Sequence, residues 1–388
     1  MQRLMSLVLM GLLAPGVFAA EQGITADTIK VGQITDLSGA TANWGVPTTF
    51  GSRMRIDEAN AAGGIHGRKI ELIVEDGQYQ VPVSVKAANK LLNRDRVFVM
   101  LGNMGTPANN ANMPRQIRKG VANLFPVTAG ITMYEPLHPM KFAYYVSYRD
   151  QGRGGIRYMV EKYGVKKVCL QTQATDYGHE VEVGYEQAVE ELGLESVYLG
   201  RHKVTETDFV GTATRIKNSD CELLFIGTIT TDTIALYTAV RNAGWDKYII
   251  GNMVMLDPLV AKAADGGMEG LFSAGPLVVS DLEEDSEIGA WRRDWYARYE
   301  AAYGEIPNLQ SQVAWLTTDL MIKAMERAGR DLTTAKMLAE MEKISAYADP
   351  FGGPTISFSA EKHQAVDSIY LSQVVDGKWT LIQKDLAF

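Results

Sequence analysis

An α/β protein of two doubly wound parallel-sheet lobes is what the sequence predicts, on three observations. From residue 29 onward short apolar runs alternate with amphipathic helical stretches, the pattern of parallel strands joined by right-handed crossovers. Most of the helical stretches stop at a glycine, as a left-handed C-terminal cap requires. The alternation comes as two similar series meeting near Tyr145–Asp150, and 388 residues are enough for two cores.

The first series runs from the strand "IKVGQIT" to the helix "PTTFGSRMRIDEANAAGG", then from "KIELIVED" to "PVSVKAANKLLNRD". The run "VFVMLG" is short, apolar and rich in β-branched or large residues, so it reads as a buried parallel strand. Thr106 followed by Pro107 then marks a helix start, with Thr as cap and Pro in the first turn, and "VANLFPVT" follows. Pro114 should kink or shorten that helix. The second series begins with "RGGIRYMVEKYG" and continues through "KKVCLQT", "EVEVGYEQAVEELG", "ESVYLG", "CELLFIG", "TDTIALYTAVRNAG", "YIIGNMV" and "GLFSAGP". After Gly275 come the helices "SEIGAWRRDWYARYEAAYG", "VAWLTTDLMIKAMERAG" and "TTAKMLAEMEK". The end, "PTISFS" and "SIYLSQVVDGKWTLIQK", alternates with period two around an Asp376-Gly377 hairpin turn.

Composition narrows the partners. A net charge of −8 argues against nucleic acid or an anionic membrane surface as the target, while 22 % charged and 46 % hydrophobic residues are ordinary for a globular protein. Arg3, the apolar run Leu4–Leu13, Pro15-Gly16 and the small residues up to Ala19-Ala20 form a secretory signal peptide over residues 1–20. The run is too short to span a bilayer, and no Cys near the cleavage site would take a lipid. An exported, soluble mature protein is the expectation. In an oxidising compartment Cys169 and Cys221 are allowed to pair, but both fall in or at the start of adjacent strands, where disulfide geometry is unfavourable. Two buried free cysteines are the expectation.

Chemistry of the catalytic kind is missing. The chain has no G-x-S-x-G, H-E-x-x-H, G-x-x-x-x-G-K-[ST] or G-x-G-x-x-G. The five histidines (His66, His138, His179, His202 and His363) lack metal-ligand spacing, so no catalytic residue, metal or cofactor is expected. What remains is geometry. Ligands of open parallel sheets bind beyond the strand carboxyl ends, and two such lobes facing each other form a cleft. The helix start at Thr106 offers unpaired N–H groups there, which favour an anion such as a carboxylate.

Laid out in order, "IKVGQITDLSGATANWG", "DEANAAGGIHGRKIELIVEDGQ", "GNMGTPANNA", "LFPVTAG", "TDYGHE" and "YIIGN" resemble the periplasmic branched-chain amino-acid-type binding proteins of ABC importers. The resemblance covers essentially the whole mature chain, and "LGNMGTPANN" and "LFPVTAGITMYEP" look closer to a branch whose ligands are varied. It implies a type I periplasmic binding fold with a three-strand hinge, residues 27–147 plus 276–365 forming one lobe and 148–275 plus 366–388 the other.

The same resemblance implies a site. Thr106 with Gly105, and Thr128 with Ala129, would hold a ligand carboxylate through hydroxyl and backbone N–H groups. Trp44 and Tyr177 match positions where aromatic rings wall the cleft. Tyr148 lies at the first crossover, with hinge and ligand roles both open, and Trp315 is divided between cleft and core. Met253 stands where amino-acid binders of the family carry an acid for the α-ammonium, and Ile229 replaces a polar or aromatic contact. With Met104, they make the far wall apolar. Asp257, the nearest carboxylate, reads as a helix cap.

The implied function is capture of a small organic acid, aromatic or branched and not an α-amino acid, by a monomer that delivers it to an inner-membrane ABC permease. Three alternatives remain: a sensor presenting its ligand to a receptor kinase, a true branched-chain amino-acid binder, and an exported enzyme.

Overall fold

Two separate sheets collect the strands. The computed structural model describes residues 21–263 and 267–388, so the expected signal peptide lies outside the described residues. The first sheet holds β1 (Thr28–Thr35), β2 (Lys69–Asp76), β3 (Val99–Leu101), β4 (Ala122–Leu124) and β5 (Lys141–Phe142), all parallel, in the order β2-β1-β3-β4-β5. Its crossovers include α1 (Ala42–Ala61), α2 (Val81–Asn89), which continues as a π-helical stretch Lys90–Asp95, and α3 (Thr106–Arg118). The chain then enters the second half through α4 (Tyr148–Tyr163).

The second sheet is built from β6 (Lys167–Gln173), β7 (Glu195–His202), β8 (Leu223–Gly227), β9 (Tyr248–Asn252) and β10 (Leu271–Gly275), which are parallel to one another. Between these strands lie α5 (Asp176–Leu192), α6 (Val210–Lys217), α7 (Thr230–Asn242) and α8 (Pro258–Lys262). The antiparallel pair β11 (Tyr370–Val375) and β12 (Lys378–Gln383) extends the edge, giving the order β12-β11-β10-β9-β8-β6-β7. Asp376 and Gly377 between them both have positive φ, 51° and 71°, as a two-residue hairpin turn of this hand demands. Strand β8 is buried along its whole length, which explains why "LLFIG" is apolar without alternation.

Between these last strands and β10, α9 (Glu287–Tyr303), α10 (Leu309–Ala328) and α11 (Thr334–Met341) return to the first half. Helix α10 lies against α1 at backbone contact: a Cβ at Gly51 would sit 2.0 Å from the Ser311 carbonyl oxygen, so only glycine permits this approach. Arg55 Nε bonds Asp319 Oδ1 at 2.8 Å across the same seam. Besides the passages into α4 and out of β10, the chain crosses once more before β11, where Ala143 and Gln364 form an isolated parallel bridge.

Local expectations fare unevenly. Helix α1 starts at Ala42, before Pro47, and so carries Trp44. Pro47 cannot donate to the Asn43 carbonyl, and Asn308 Nδ2 donates to that oxygen instead, at 3.4 Å. Helix α3 continues through Pro114 to Arg118. Gly105, with φ 85°, occupies the cap position of α3; Thr106 is its first helical residue and caps nothing. The stretch "PTISFS" forms no strand, only isolated bridges from Ile356 to Tyr347 and from Ser359 to Lys362.

The cysteines also correct the expectation of free thiols, because Cys169 and Cys221 form a disulfide. Their Cα atoms are 5.9 Å apart. Cys169 lies in β6, but Cys221 precedes β8 and follows Asp220, whose φ of 56° turns the chain. The geometric objection applies to two residues both held in the ladder, and Cys221 is not.

Candidate functional site

The strand carboxyl ends of both sheets converge on one cavity of about 410 Å³, lined by Thr41, Trp44, Tyr79, Met104, Gly105, Thr106, Val127, Tyr148, Tyr177, Ile229, Thr230 and Val254. Each stands on a loop or helix start just beyond a strand, the location open parallel sheets reserve for ligands.

One end of the cavity is polar. Thr106 Oγ1 and Thr128 Oγ1 are 2.5 Å apart, both residues being almost fully buried. The Gly130 N–H donates to Thr128 Oγ1 at 3.3 Å. In the first turn of α3 the Asn109 N–H donates to the Gly105 carbonyl, while Thr106 and Ala108 carry N–H groups with no acceptor inside the helix. These groups suit a carboxylate. A side chain at Gly105 would crowd Tyr79, 2.9 Å from its ring, and would have to adopt a left-handed backbone.

The remaining wall is mostly aromatic and apolar, with Thr41 and Thr230 as its polar residues besides the tyrosines. The Tyr148 and Tyr177 rings meet at 67° with centroids 4.8 Å apart. The Tyr148 N–H donates to the Ala129 carbonyl at 2.9 Å, and burial pushes the phenol up to about 12, opposed by a bond with Thr128. Asn252 Nδ2 donates to the Tyr177 hydroxyl at 3.0 Å, which anchors that ring from behind. Burial holds the Tyr79 and Tyr177 phenols above their ordinary range, so all three tyrosines stand neutral at pH 7.

Of the residues singled out from the sequence, Trp44, Met104, Gly105, Thr106, Tyr148, Tyr177 and Ile229 line the cavity. Thr128 backs it through Thr106, and Ala129 positions Tyr148. Met253 and Trp315 do not line it. Met253 is fully buried in a short 3-10 turn after β9, its N–H donating to Gln151 Oε1 at 3.0 Å; the next residue, Val254, reaches the cavity. Trp315 packs in the helix layer, with Trp291 at 5.5 Å and Phe351 at 5.9 Å, and donates to Glu58 Oε2. Asp257 is the expected cap: it accepts from the Leu259 N–H at 2.8 Å and also from Asn43 Nδ2 at 2.7 Å.

Sequence reasoning missed Thr41, Tyr79, Val127, Thr230 and Val254. Tyr79 follows β2 by three residues, so the carboxyl-end rule alone could have found it. Its backbone, like that of Gln78, is left-handed, with φ of 50° and 52°. Such strain in non-glycine residues is held where the surroundings over-determine it, often at a binding site.

Among the described residues no helix is long and apolar enough to cross a membrane. The sequence profile described as periplasmic binding protein matches residues 28–378. The chain is 20 % identical over 333 residues to the leucine-, isoleucine-, valine-, threonine- and alanine-binding protein of Pseudomonas aeruginosa, covering 86 % of this chain and 87 % of that one. Among solved structures it is similar to a fatty acid ABC transporter substrate-binding protein from Thermomonospora curvata, at TM-score 0.82 and 21 % identity over 95 % of this chain and 94 % of that one. A branched-chain amino acid transporter substrate-binding protein from Streptococcus pneumoniae, in complex with isoleucine, matches at TM-score 0.76 and 21 % identity, over 93 % and 99 % of the two chains. The fold is the type I periplasmic binding fold, and the chain belongs to the periplasmic binding protein family.

Proposed function

We propose that this protein captures a small carboxylate-bearing organic ligand, aromatic or branched and not an α-amino acid, and delivers it from the periplasm to an inner-membrane ABC permease. The observation that carries the reading is the asymmetry of the cavity. The Thr106 hydroxyl, paired with Thr128, and a helix start stand at one end, while no carboxylate is among the residues that line the cavity. A primary ammonium buried opposite would keep N–H groups unpaired, at a cost of several kcal/mol in order of magnitude. Asp257, the acid an ammonium would need, is fully buried and already accepts from Asn43 and Leu259. The signal-peptide pattern at residues 1–20 supports export, and the relatives named for ABC transport support the partner.

A melting screen tests this. Leucine, isoleucine and phenylalanine are compared with their 2-oxo and simple carboxylic analogues and with benzoate. A ligand at about 100 times its Kd adds roughly 2.7 kcal/mol to the native state, a visible shift. The acids are expected to stabilise and the amino acids not. Micromolar binding of the amino acids alone would replace this reading with that of a branched-chain amino-acid binder.

A further inference from the structure

The walls of the cavity carry more aromatic surface, and more hidden negative charge, than a neutral hydrocarbon tail requires. Trp44, Tyr79, Tyr148 and Tyr177 all line it, and the Tyr148–Tyr177 pair forms a corner of two rings near right angles. Aromatic faces arranged as walls of a box attract a cation through their quadrupoles, most strongly where water is excluded.

Behind these walls stand three buried carboxylates. Asp36 accepts from the Thr41 N–H and hydroxyl, both at 2.8 Å, and from the Gly39 N–H. Asp232 accepts from Gln173 Nε2 at 2.8 Å and from His202 Nε2 at 3.0 Å. The Tyr198 hydroxyl donates to Gln171 Oε1, so the Gln171 amide presents its NH₂ to His202 Nδ1 and leaves the imidazole proton on the nitrogen facing Asp232. Asp257 is held by Asn43 and Leu259, and Asn43 Nδ2 also contacts the lining residue Thr230. Each carboxylate is satisfied by hydrogen bonds; among the described residues none pairs with Lys or Arg, and no Lys or Arg lines the cavity. Asp36 and Asp232 are close enough to raise the Tyr79 phenol further.

A cation is therefore favoured by the field, yet the lining offers no carboxylate to receive ammonium N–H groups. Both conditions are met by a cation that has no N–H to satisfy. We infer that the ligand is a betaine, its carboxylate at Thr106 and its quaternary ammonium boxed by Trp44, Tyr79, Tyr148 and Tyr177. This rests on the carboxylate-binding reading and specifies the other end of the ligand.

Calorimetry on the mature protein, with two probes of the same shape, tests it. Trimethylammonioacetate and 3,3-dimethylbutanoate differ only in a nitrogen cation replacing a quaternary carbon. The betaine is expected to bind at least about tenfold tighter. In Tyr79→Leu that preference should collapse while 3,3-dimethylbutanoate still binds, and in Tyr79→Phe, which keeps the ring, the preference should persist. Equal or tighter binding of 3,3-dimethylbutanoate or benzoate overturns the betaine and leaves the carboxylate reading standing. Choline, which has the cation and no carboxylate, separates the two ends: if it matched the betaine, the aromatic box would stand and the carboxylate reading would fall. Failure of both quaternary compounds to bind overturns the inference.

Discussion

Asn43 Nδ2 lies 2.7 Å from Asp257 Oδ2 and 3.0 Å from Thr230 Oγ1, so one carboxamide at the start of α1 joins the two halves across 214 residues of chain. Asn43 does not line the cavity. The bond spans the two halves from outside the cavity lining.

Two halves joined by a few strands are expected to open and close, with ligand favouring the closed form. Solution scattering should show a smaller radius of gyration on saturation with ligand. Asn43→Ala should weaken affinity by about two- to tenfold, the worth of a net 0.5–1.5 kcal/mol hydrogen bond, while reaching the same closed radius. A radius unchanged by ligand, starting from an open form, would remove the hinge.

Thr106→Val keeps the shape of the side chain and removes the hydroxyl facing Thr128. A hydrogen bond to a charged group is worth about 1.5–3 kcal/mol, so carboxylate affinity should drop about ten- to a hundredfold. Thr106 does not cap α3, but the variant also loses the buried bond to Thr128, so the melting temperature without ligand should fall by what about 1 kcal/mol is worth, a few degrees. Titration of the acid selected by the screen measures the first effect and calorimetric unfolding the second. Full affinity in the variant would return Thr106 to a structural role.

The disulfide closes a 52-residue separation. Chain-entropy reasoning puts its stabilisation at about 4 kcal/mol. Cys169→Ala combined with Cys221→Ala should therefore lower Tm by several degrees. Ligand affinity should hold, because Cys169 lies early in β6 and the cavity lies beyond the strand carboxyl ends. A variant that melts like the parent would show that the bridge constrains little.

Asp349 is half-buried where Tyr144, near the first crossover, meets Leu277 after β10. Burial lifts its carboxyl to about 6, against bonds from the Phe351 N–H and the Tyr144 hydroxyl. A native value above the unfolded one means the native state holds the proton longer. This contribution is present below about pH 3.8 and is lost as pH rises through about 6. The shift of about two units corresponds to roughly 3 kcal/mol across that window. Urea unfolding from pH 4 to 7 should show Asp349→Asn losing less stability with rising pH than the parent. Parallel profiles would mean that Asp349 titrates normally.

Much of this protein could be read from its sequence, because the signals involved are local. Alternating apolar runs and glycine stops place strand and helix by period and φ, and Asp376-Gly377 announces its own turn. The carboxyl-end rule then puts Trp44, Thr106, Tyr177 and Ile229 near a common cleft. Tertiary structure decided what depends on a single residue of register or on a distant neighbour. A 3-10 turn after β9 buries Met253 and gives its place in the wall to Val254. Two left-handed residues swing Tyr79 against Gly105, and an aromatic layer draws Trp315 away from the cleft. Cys221 meets Cys169 because it stands just outside the ladder. Periodicity assigns a residue to a face; which neighbour fills the space beside that face depends on packing among segments hundreds of residues apart.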